Sequence, residues 1–167
     1  MQAIQALKRT KLDTNKLNHI LTTTLPRLLK SDLLASLSEL LRQNQCHLAL
    51  KLFAATKSEA WYKPDIGLYA DMVLALARNN MVGEIDGLVL ELSGEGWVCD
   101  RGVSRLVKAL VVAERGESLV RVYEMMRESG VVVDEYLVKV LSRGLRRLGE
   151  ESVADEVERE FGDCLNV

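Results

Sequence analysis

Apolar residues recur along the chain in pairs of helical stripes separated by short polar breaks. Leu33, Leu34, Leu37, Leu40 and Leu41 form one stripe, Gln43-Asn44-Gln45 interrupts it, and Leu48, Leu52 and Phe53, with Ala49 beside them, form its partner. After Trp61-Tyr62-Lys63-Pro64-Asp65 the pattern starts again. One helix is predicted up to Arg78, a break follows at Asn79-Asn80, and a second helix is predicted from Val82 to Leu92, closing in Ser93-Gly94-Glu95-Gly96. A third pair has Leu106, Val107, Leu110 and Val111 before the turn Glu114-Arg115-Gly116, and Leu119, Val120, Tyr123 and Met126 after it. A fourth has Leu137, Val140, Leu141 and Leu145, a turn at Gly149, then Val153, Val157 and Phe161. Upstream, residues 1–30 carry two shorter patterns. Ile4 and Leu7 mark the first. Leu17, Ile20, Leu21 and Leu25 mark the second, with Asp13-Thr14-Asn15 as a cap between them and Pro26 as a bend or first-turn residue.

The stripes keep register. Asp65, Asp100 and Asp134 are 35 and 34 residues apart, and Gly96 and Gly130 each stand four before their Asp. Phe53, Val89, Tyr123 and Val157 are spaced by 36, 34 and 34, and Ala49, Ile85, Leu119 and Val153 keep the same intervals. A hairpin of two helices cannot bury its own apolar face, so self-similarity at this period predicts stacked helix-turn-helix units with a shared core. The expected organisation is a lead-in or degenerate half-repeat over 1–30, then units at 31–66, 67–100, 101–135 and 136–167.

Composition agrees with an all-α chain of one domain. In 167 residues there are only two prolines and 5% aromatics; hydrophobic residues reach 48% and charged residues 28%, enough for a core and a solvated surface. No apolar run approaches a membrane span. Cys46, Cys99 and Cys164 are odd in number and far apart, which predicts free thiols and no zinc site. The N-terminal residues lack the apolar core of a secretory signal, so a cytosolic protein or a mature, trimmed form is expected.

The repeat resembles the pentatricopeptide repeat (PPR). Tyr123-Glu124-Met125-Met126-Arg127-Glu128-Ser129-Gly130-Val131-Val132-Val133-Asp134 is similar to the late second helix and closure of that unit, and Lys63-Pro64-Asp65-Ile66 to its linker. Tetratricopeptide repeats share the period but want an early Trp that is absent here. About four units with no added domain, and Trp61-Tyr62-Lys63-Pro64-Asp65 ahead of Leu68-Tyr69-Ala70-Asp71-Met72, resemble the short plant thylakoid-assembly-type members. That resemblance implies a right-handed superhelical solenoid without cofactor. It also implies single-stranded organellar RNA as the ligand, an intron or another transcript, with a role in group II intron splicing or RNA maturation in the chloroplast or, alternatively, the mitochondrion. Other splicing factors are implied as partners.

Net charge is only −2, so a basic surface must arise by segregation. In such a solenoid the first helices line the concave face. They hold Arg42 in the first unit, Arg78 in the second, Arg101, Arg105 and Lys108 in the third, and Lys139, Arg143, Arg146 and Arg147 in the fourth. Second helices hold Glu84, Asp86, Glu91, Glu117, Glu124, Glu128, Asp155, Glu156, Glu158 and Glu160; the first unit departs from this with Lys51 and Lys57. A basic groove attracts phosphate; the bland alternative is a set of solvated helix faces. The resemblance also implies a base-reading residue near the fifth position of each first helix and a closing residue. These fall on Ala35, Asp71, Arg105 and Val140, with Ile66, Arg101 and Glu135 closing. Only Asp71 has the usual polar character, so binding through phosphate and shape is expected over base-by-base readout.

Trp61, Tyr62 and Trp97 are expected to pack between units, and Tyr69, Met125 and Met126 to fill the core. His19 and His47 are the only histidines, and neither lies in a metal-binding or deaminase spacing. Cys46 and His47 are adjacent and so face different ways on a helix. Gly94-x-Gly96 follows a helix, not a strand, and is not a phosphate loop. No catalytic or metal site is expected. Val153, Val157, Phe161 and Leu165 are expected to leave an apolar edge, a route to a homodimer or an RNA-induced oligomer. The rival functional reading is a scaffold whose groove holds a protein partner.

Overall fold

The computed structural model describes residues 2–9, 13–23, 30–60, 62–63, 65–92 and 101–162. Pro26, Trp61, Pro64, Gly94, Gly96, Trp97, Cys99, Asp100, Cys164 and Leu165 lie outside them. Ten helices and no strand occur among the described residues. The chain divides into two compact units, 1–63 and 64–167.

The N-terminal unit holds α1 (Gln2–Arg9), α2 (Thr14–Thr23), α3 (Lys30–Arg42) and α4 (Cys46–Lys57). Leu33, Leu37, Leu40 and Leu41 of α3 and Leu48, Leu52 and Phe53 of α4 are buried with Ile4, Leu7 and Leu17. Leucines three and four apart share one helix face, so each stripe buries as a block. Buried Thr56 donates its hydroxyl to the Leu52 carbonyl at 2.8 Å, which satisfies it within α4. The Tyr62 ring meets Phe53 edge-on, with centroids 6.2 Å apart. Cys46 is buried, and burial pushes its thiol pKa up. His47 is exposed, so the adjacent pair does not converge.

The C-terminal unit contains three helix hairpins, α5 (Ile66–Arg78) with α6 (Val82–Leu90), α7 (Arg101–Val112) with α8 (Gly116–Glu128), and α9 (Glu135–Arg147) with α10 (Glu151–Gly162). First helices α5, α7 and α9 pack side by side in chain order, and α6, α8 and α10 make the second layer. This is a solenoid arrangement, in which each hairpin completes its core on the next. Val89, Tyr123 and Val157 are almost fully buried, as are Ile85 and Leu119. Val153, at the same register position in the last hairpin, is only half-buried, because no further described hairpin covers it.

The expected open apolar edge is smaller than the pattern suggests. Val157 is fully buried, and Phe161 packs edge-on against Tyr123 of α8 at 6.1 Å. The Phe161 ring turns back toward the preceding hairpin, where the aromatic contact is available. Leu165 lies outside the described residues.

Two local devices repeat with the hairpins. The turn between first and second helix has a left-handed residue at Asn44, Asn80, Glu114 and Gly149 (φ 54, 55, 55 and 85°). The next amide then reaches back to the helix: Gln45 to the Leu40 carbonyl, Met81 to Leu76, Arg115 to Leu110 and Glu150 to Leu145, at 2.9–3.0 Å. Such a closure satisfies a carbonyl that the helix end leaves open. Two of the recurring Asp residues cap the helices that follow them. Asp65 accepts from the Leu68 amide at 3.2 Å and Asp134 from the Leu137 amide at 2.7 Å. Tyr69, Met125 and Met126 are buried, consistent with core roles. Among the described residues no helix is long and apolar enough to cross a membrane.

Candidate nucleic-acid interface

The core stripe of each first helix leaves an opposite face for solvent. On α7 the buried side is Val103, Leu106, Val107 and Leu110, which leaves Arg101, Arg105 and Lys108 exposed. On α9 the buried side is Leu137, Val138, Leu141 and Leu145, which leaves Tyr136, Lys139, Arg143, Arg146 and Arg147 exposed. On α5 the open side carries Asp71, half-buried, and Arg78, exposed. The layer is drawn tight where α7 meets α9: a Cβ added to Gly144 would lie 2.6 Å from Cγ2 of Val111. The exposed stripes of α7 and α9 also meet. Lys108 of α7 sits 5.1 Å from the ring centroid of Tyr136 on α9 and donates to its hydroxyl.

The ten sequence-nominated residues do not form one set. Arg42 belongs to the N-terminal unit and is held by Glu39 on its own helix, Nε to Oε2 at 2.7 Å and Nη2 to Oε1 at 2.5 Å. The hydrogen bonds from Arg42 and Gln43 hold the Glu39 carboxyl down at about 2, and Glu39 in turn raises the guanidinium. Arg146 is turned away from the rest of α9's basic stripe, toward α10. It donates to Asp155 at 2.7 Å and to Glu158 at 2.5 and 2.9 Å. Arg146, then Ser142, pull the Glu158 carboxyl down to about 2. Three residues of helix separate Arg146 from Arg143, so the two side chains leave the axis about 60° apart. Lys139 pairs with Glu135 one turn earlier, which lowers the Glu135 pKa. Arg105 pairs with Asp71 across α5 and α7, and both side chains are about half exposed (51% and 47%). Ala35 is exposed and Val140 half-buried; neither side chain can hydrogen-bond a base.

Arg78, Arg101, Arg143 and Arg147 make no ion pair with any described residue. Together with Lys108 they make the first-helix layer of the C-terminal unit a basic surface with one exposed aromatic ring. Tyr136 is the residue that sequence reading passes over. Its signal is a polar-side position between Glu135 and the buried Leu137, one turn before Val140. Among the described residues, no group of His, Cys, Asp and Glu is arranged to hold a metal.

The second layer is built differently. Asp86 of α6 accepts from Arg115 Nε at 3.0 Å and from the Ser118 hydroxyl at 2.7 Å. Burial pushes Asp86 up, but these two hydrogen bonds and the Arg115 charge outweigh it and leave the carboxyl below its ordinary value. Arg127 of α8 pairs with Glu156 of α10 at 2.7 Å, and the Tyr123 hydroxyl donates to Glu160 at 2.6 Å. Burial and the Glu160 carboxylate push the phenol's pKa up. Asp86, Glu156 and Glu160 thus join consecutive second helices, and Asp155 and Glu158 hold Arg146.

No family model matches the chain. It is 46% identical over 164 residues to Protein THYLAKOID ASSEMBLY 8, chloroplastic, of Arabidopsis thaliana, an alignment that covers 94% of this chain and 72% of that protein. A second Arabidopsis thaliana relative, a pentatricopeptide repeat-containing protein, is 37% identical over 128 residues, 76% of this chain and 65% of the relative. Among solved structures, THA8 in complex with Zm4 RNA superposes with a TM-score of 0.83 at 36% identity, over 97% of this chain and 92% of that one.

Proposed function

The chain belongs to the pentatricopeptide repeat family, and from that premise we propose that it binds single-stranded RNA on the first-helix layer of its C-terminal unit. The observation that carries the reading is the set of guanidiniums on α5, α7 and α9, those of Arg78, Arg101, Arg143 and Arg147, that make no ion pair with any described residue, in a protein whose net charge is slightly negative. Basic side chains without internal partners release counterions on meeting phosphate, and that gain makes the affinity salt-dependent. The solved relative with 36% identity is an RNA complex, which supports the same ligand class here. Phosphate contacts from Arg101, Lys108, Arg143 and Arg147 position the strand, and the Lys108–Tyr136 pair offers a ring face to an unstacked base. Arg78 lies on the same layer, Lys139 contributes once its Glu135 partner is displaced, and Arg42 and Arg146 hold acids of their own units.

We place this activity in chloroplast RNA maturation, including splicing of group II introns, because the chain resembles the short thylakoid-assembly-type members and its 46% identical relative is chloroplastic. The first reading is tested by Arg143→Glu with Arg147→Glu. The doubly reversed protein keeps its far-UV helicity and loses binding to a mixed-sequence single-stranded RNA. Retention of wild-type affinity by that folded variant removes α9 from the interface. RNA sequenced after co-purification from chloroplasts tests the second reading; absence of intron-containing transcripts overturns it.

A further inference from the structure

Arg105 differs from Arg78, Arg101, Arg143 and Arg147 of its layer in already having an anion among the described residues. Its guanidinium reaches from α7 to Asp71 on α5, and it lies across the site where Gly67 has no side chain: a Cβ there would meet Arg105 Nη1 at 3.2 Å and Asp65 Oδ1 at the same distance. The notch accommodates the guanidinium while leaving the pair about half open to solvent. Resting on the RNA reading above, we infer that Asp71 is a built-in competitor for RNA phosphate: it holds Arg105 in the free protein and gives it up to a phosphate when RNA crosses α5 and α7.

The chemistry is an exchange of acceptors on one guanidinium. Arg105 leaves a carboxylate and takes a phosphate oxygen, both of which match its planar donor fork. The released Asp71 then stands beside a phosphate of like charge. In the native protein this contact therefore adds little net affinity, while Arg143 and Arg147, which have no such competitor among the described residues, contribute in full. The pair makes the α5 side of the layer less attractive to any passing polyanion. It yields where the strand is already positioned by α7 and α9.

A double-mutant cycle separates this exchange from simple charge removal. Wild type, Asp71→Asn, Arg105→Gln and the double variant are titrated with the same fluorescent single-stranded RNA at several salt concentrations, after circular dichroism has verified equal helicity. Asp71→Asn is expected to bind about 2- to 5-fold tighter at low salt, the scale of one exposed ion pair, with a steeper salt dependence because one more phosphate is neutralised without a competitor. Arg105→Gln is expected to bind slightly more weakly than wild type, because it loses a phosphate contact and leaves Asp71 uncompensated. The gain from Asp71→Asn is expected to be smaller in the Arg105→Gln background.

A gain that persists undiminished in that background shows Asp71 acting as a general negative charge and overturns the exchange. Weaker binding by Asp71→Asn overturns it too, by making Asp71 a contact that RNA uses. Failure of all four proteins to bind RNA removes the RNA reading itself, and the exchange with it. Failure of the cycle alone leaves the RNA reading standing.

Discussion

The two helix layers of the C-terminal unit use charge in opposite ways. In the second layer Asp86, Glu156 and Glu160 reach partners on a neighbouring hairpin, Arg115, Ser118, Arg127 and Tyr123. In the first layer Arg78, Arg101, Arg143 and Arg147 end in no described carboxylate. Charge that is internally paired contributes to hairpin registration and presents little field to a ligand. Charge without a partner contributes nothing to the fold and is free to neutralise phosphate. One chain with a net charge near zero thus carries a structural layer and a binding layer, distinguished by composition, acidic in the one and basic in the other, and by which of their charges are paired.

The largest expected effect breaks the symmetry of those layers directly. Arg143→Glu with Arg147→Glu and the second-layer control Arg121→Glu with Arg159→Glu change the net charge equally, and all four arginines are exposed. Binding to single-stranded RNA is expected to fall more than about 30-fold for the first pair and less than about 3-fold for the second. Equal losses mean that RNA responds to total charge, and the layer distinction fails.

Packing sharpens the comparison next. Gly144 of α9 stands against Val111 of α7, with Val111 Cγ2 2.6 Å from its would-be Cβ. Gly144→Ala forces the two first helices apart and is expected to cost about 1–3 kcal/mol in urea denaturation. RNA affinity at a temperature where the variant stays folded is expected to fall as well, because Lys108 and Tyr136 sit across the same helix pair. Unchanged stability would mean that Val111 simply rotates out of the way. Gly87, on α6 of the second layer, has no heavy atom within 4 Å of its would-be Cβ and is exposed. Gly87→Ala is expected to stabilise by about 0.5–1 kcal/mol through lower backbone entropy of the unfolded chain and better helix propensity.

Hairpin architecture was legible in the sequence because burial repeats with the chain. Phe53, Val89, Tyr123 and Val157 share a spacing and are all almost fully buried. The recurring Asp was legible as punctuation; only the hydrogen bonds of Asp65 and Asp134 make it a helix cap. The left-handed turn position was hidden, because Asn44, Asn80, Glu114 and Gly149 have no common side-chain chemistry. What they share is a backbone angle. The interface was legible only as far as which helix carries which cation. Arg143 and Arg146 belong to one basic segment, yet the helix turns one toward solvent and the other into Asp155 and Glu158. Pairing partners such as Asp71 for Arg105 lie 34 residues away and depend on how hairpins stack, which local pattern does not encode. Tyr136 was obscured because Tyr123, an aromatic in the preceding hairpin, belongs to the core.

The smallest expected effect is the contribution of the paired acids to stability at low pH. Glu158 has its carboxyl held at about 2 in the folded protein, first by the Arg146 hydrogen bond and then by Ser142. A carboxyl whose folded pKa lies below its unfolded value stabilises fully above the unfolded value, and that contribution is lost as pH falls through the folded one. The window for Glu158 therefore runs from about pH 4.5 down to about 2, with the ordinary value of 4.5 at its upper end. Asp86, also held below its ordinary 3.8, contributes in the same direction. These groups are largely solvated, and salt screens them, so the effect is modest. The cleanest readout is a difference between proteins. Urea midpoints of wild type and Arg146→Gln are compared at pH 6 and at pH 3, in low salt. The gap between the two proteins is expected to narrow at pH 3, because the wild type has by then lost part of the Glu158 stabilisation, while the variant has little of it to lose. Raising the salt is expected to narrow the gap at pH 6. A gap that stays constant across both changes assigns the effect of Arg146 to packing of its aliphatic stem, and the second layer would then owe less to charge than its ion pairs suggest.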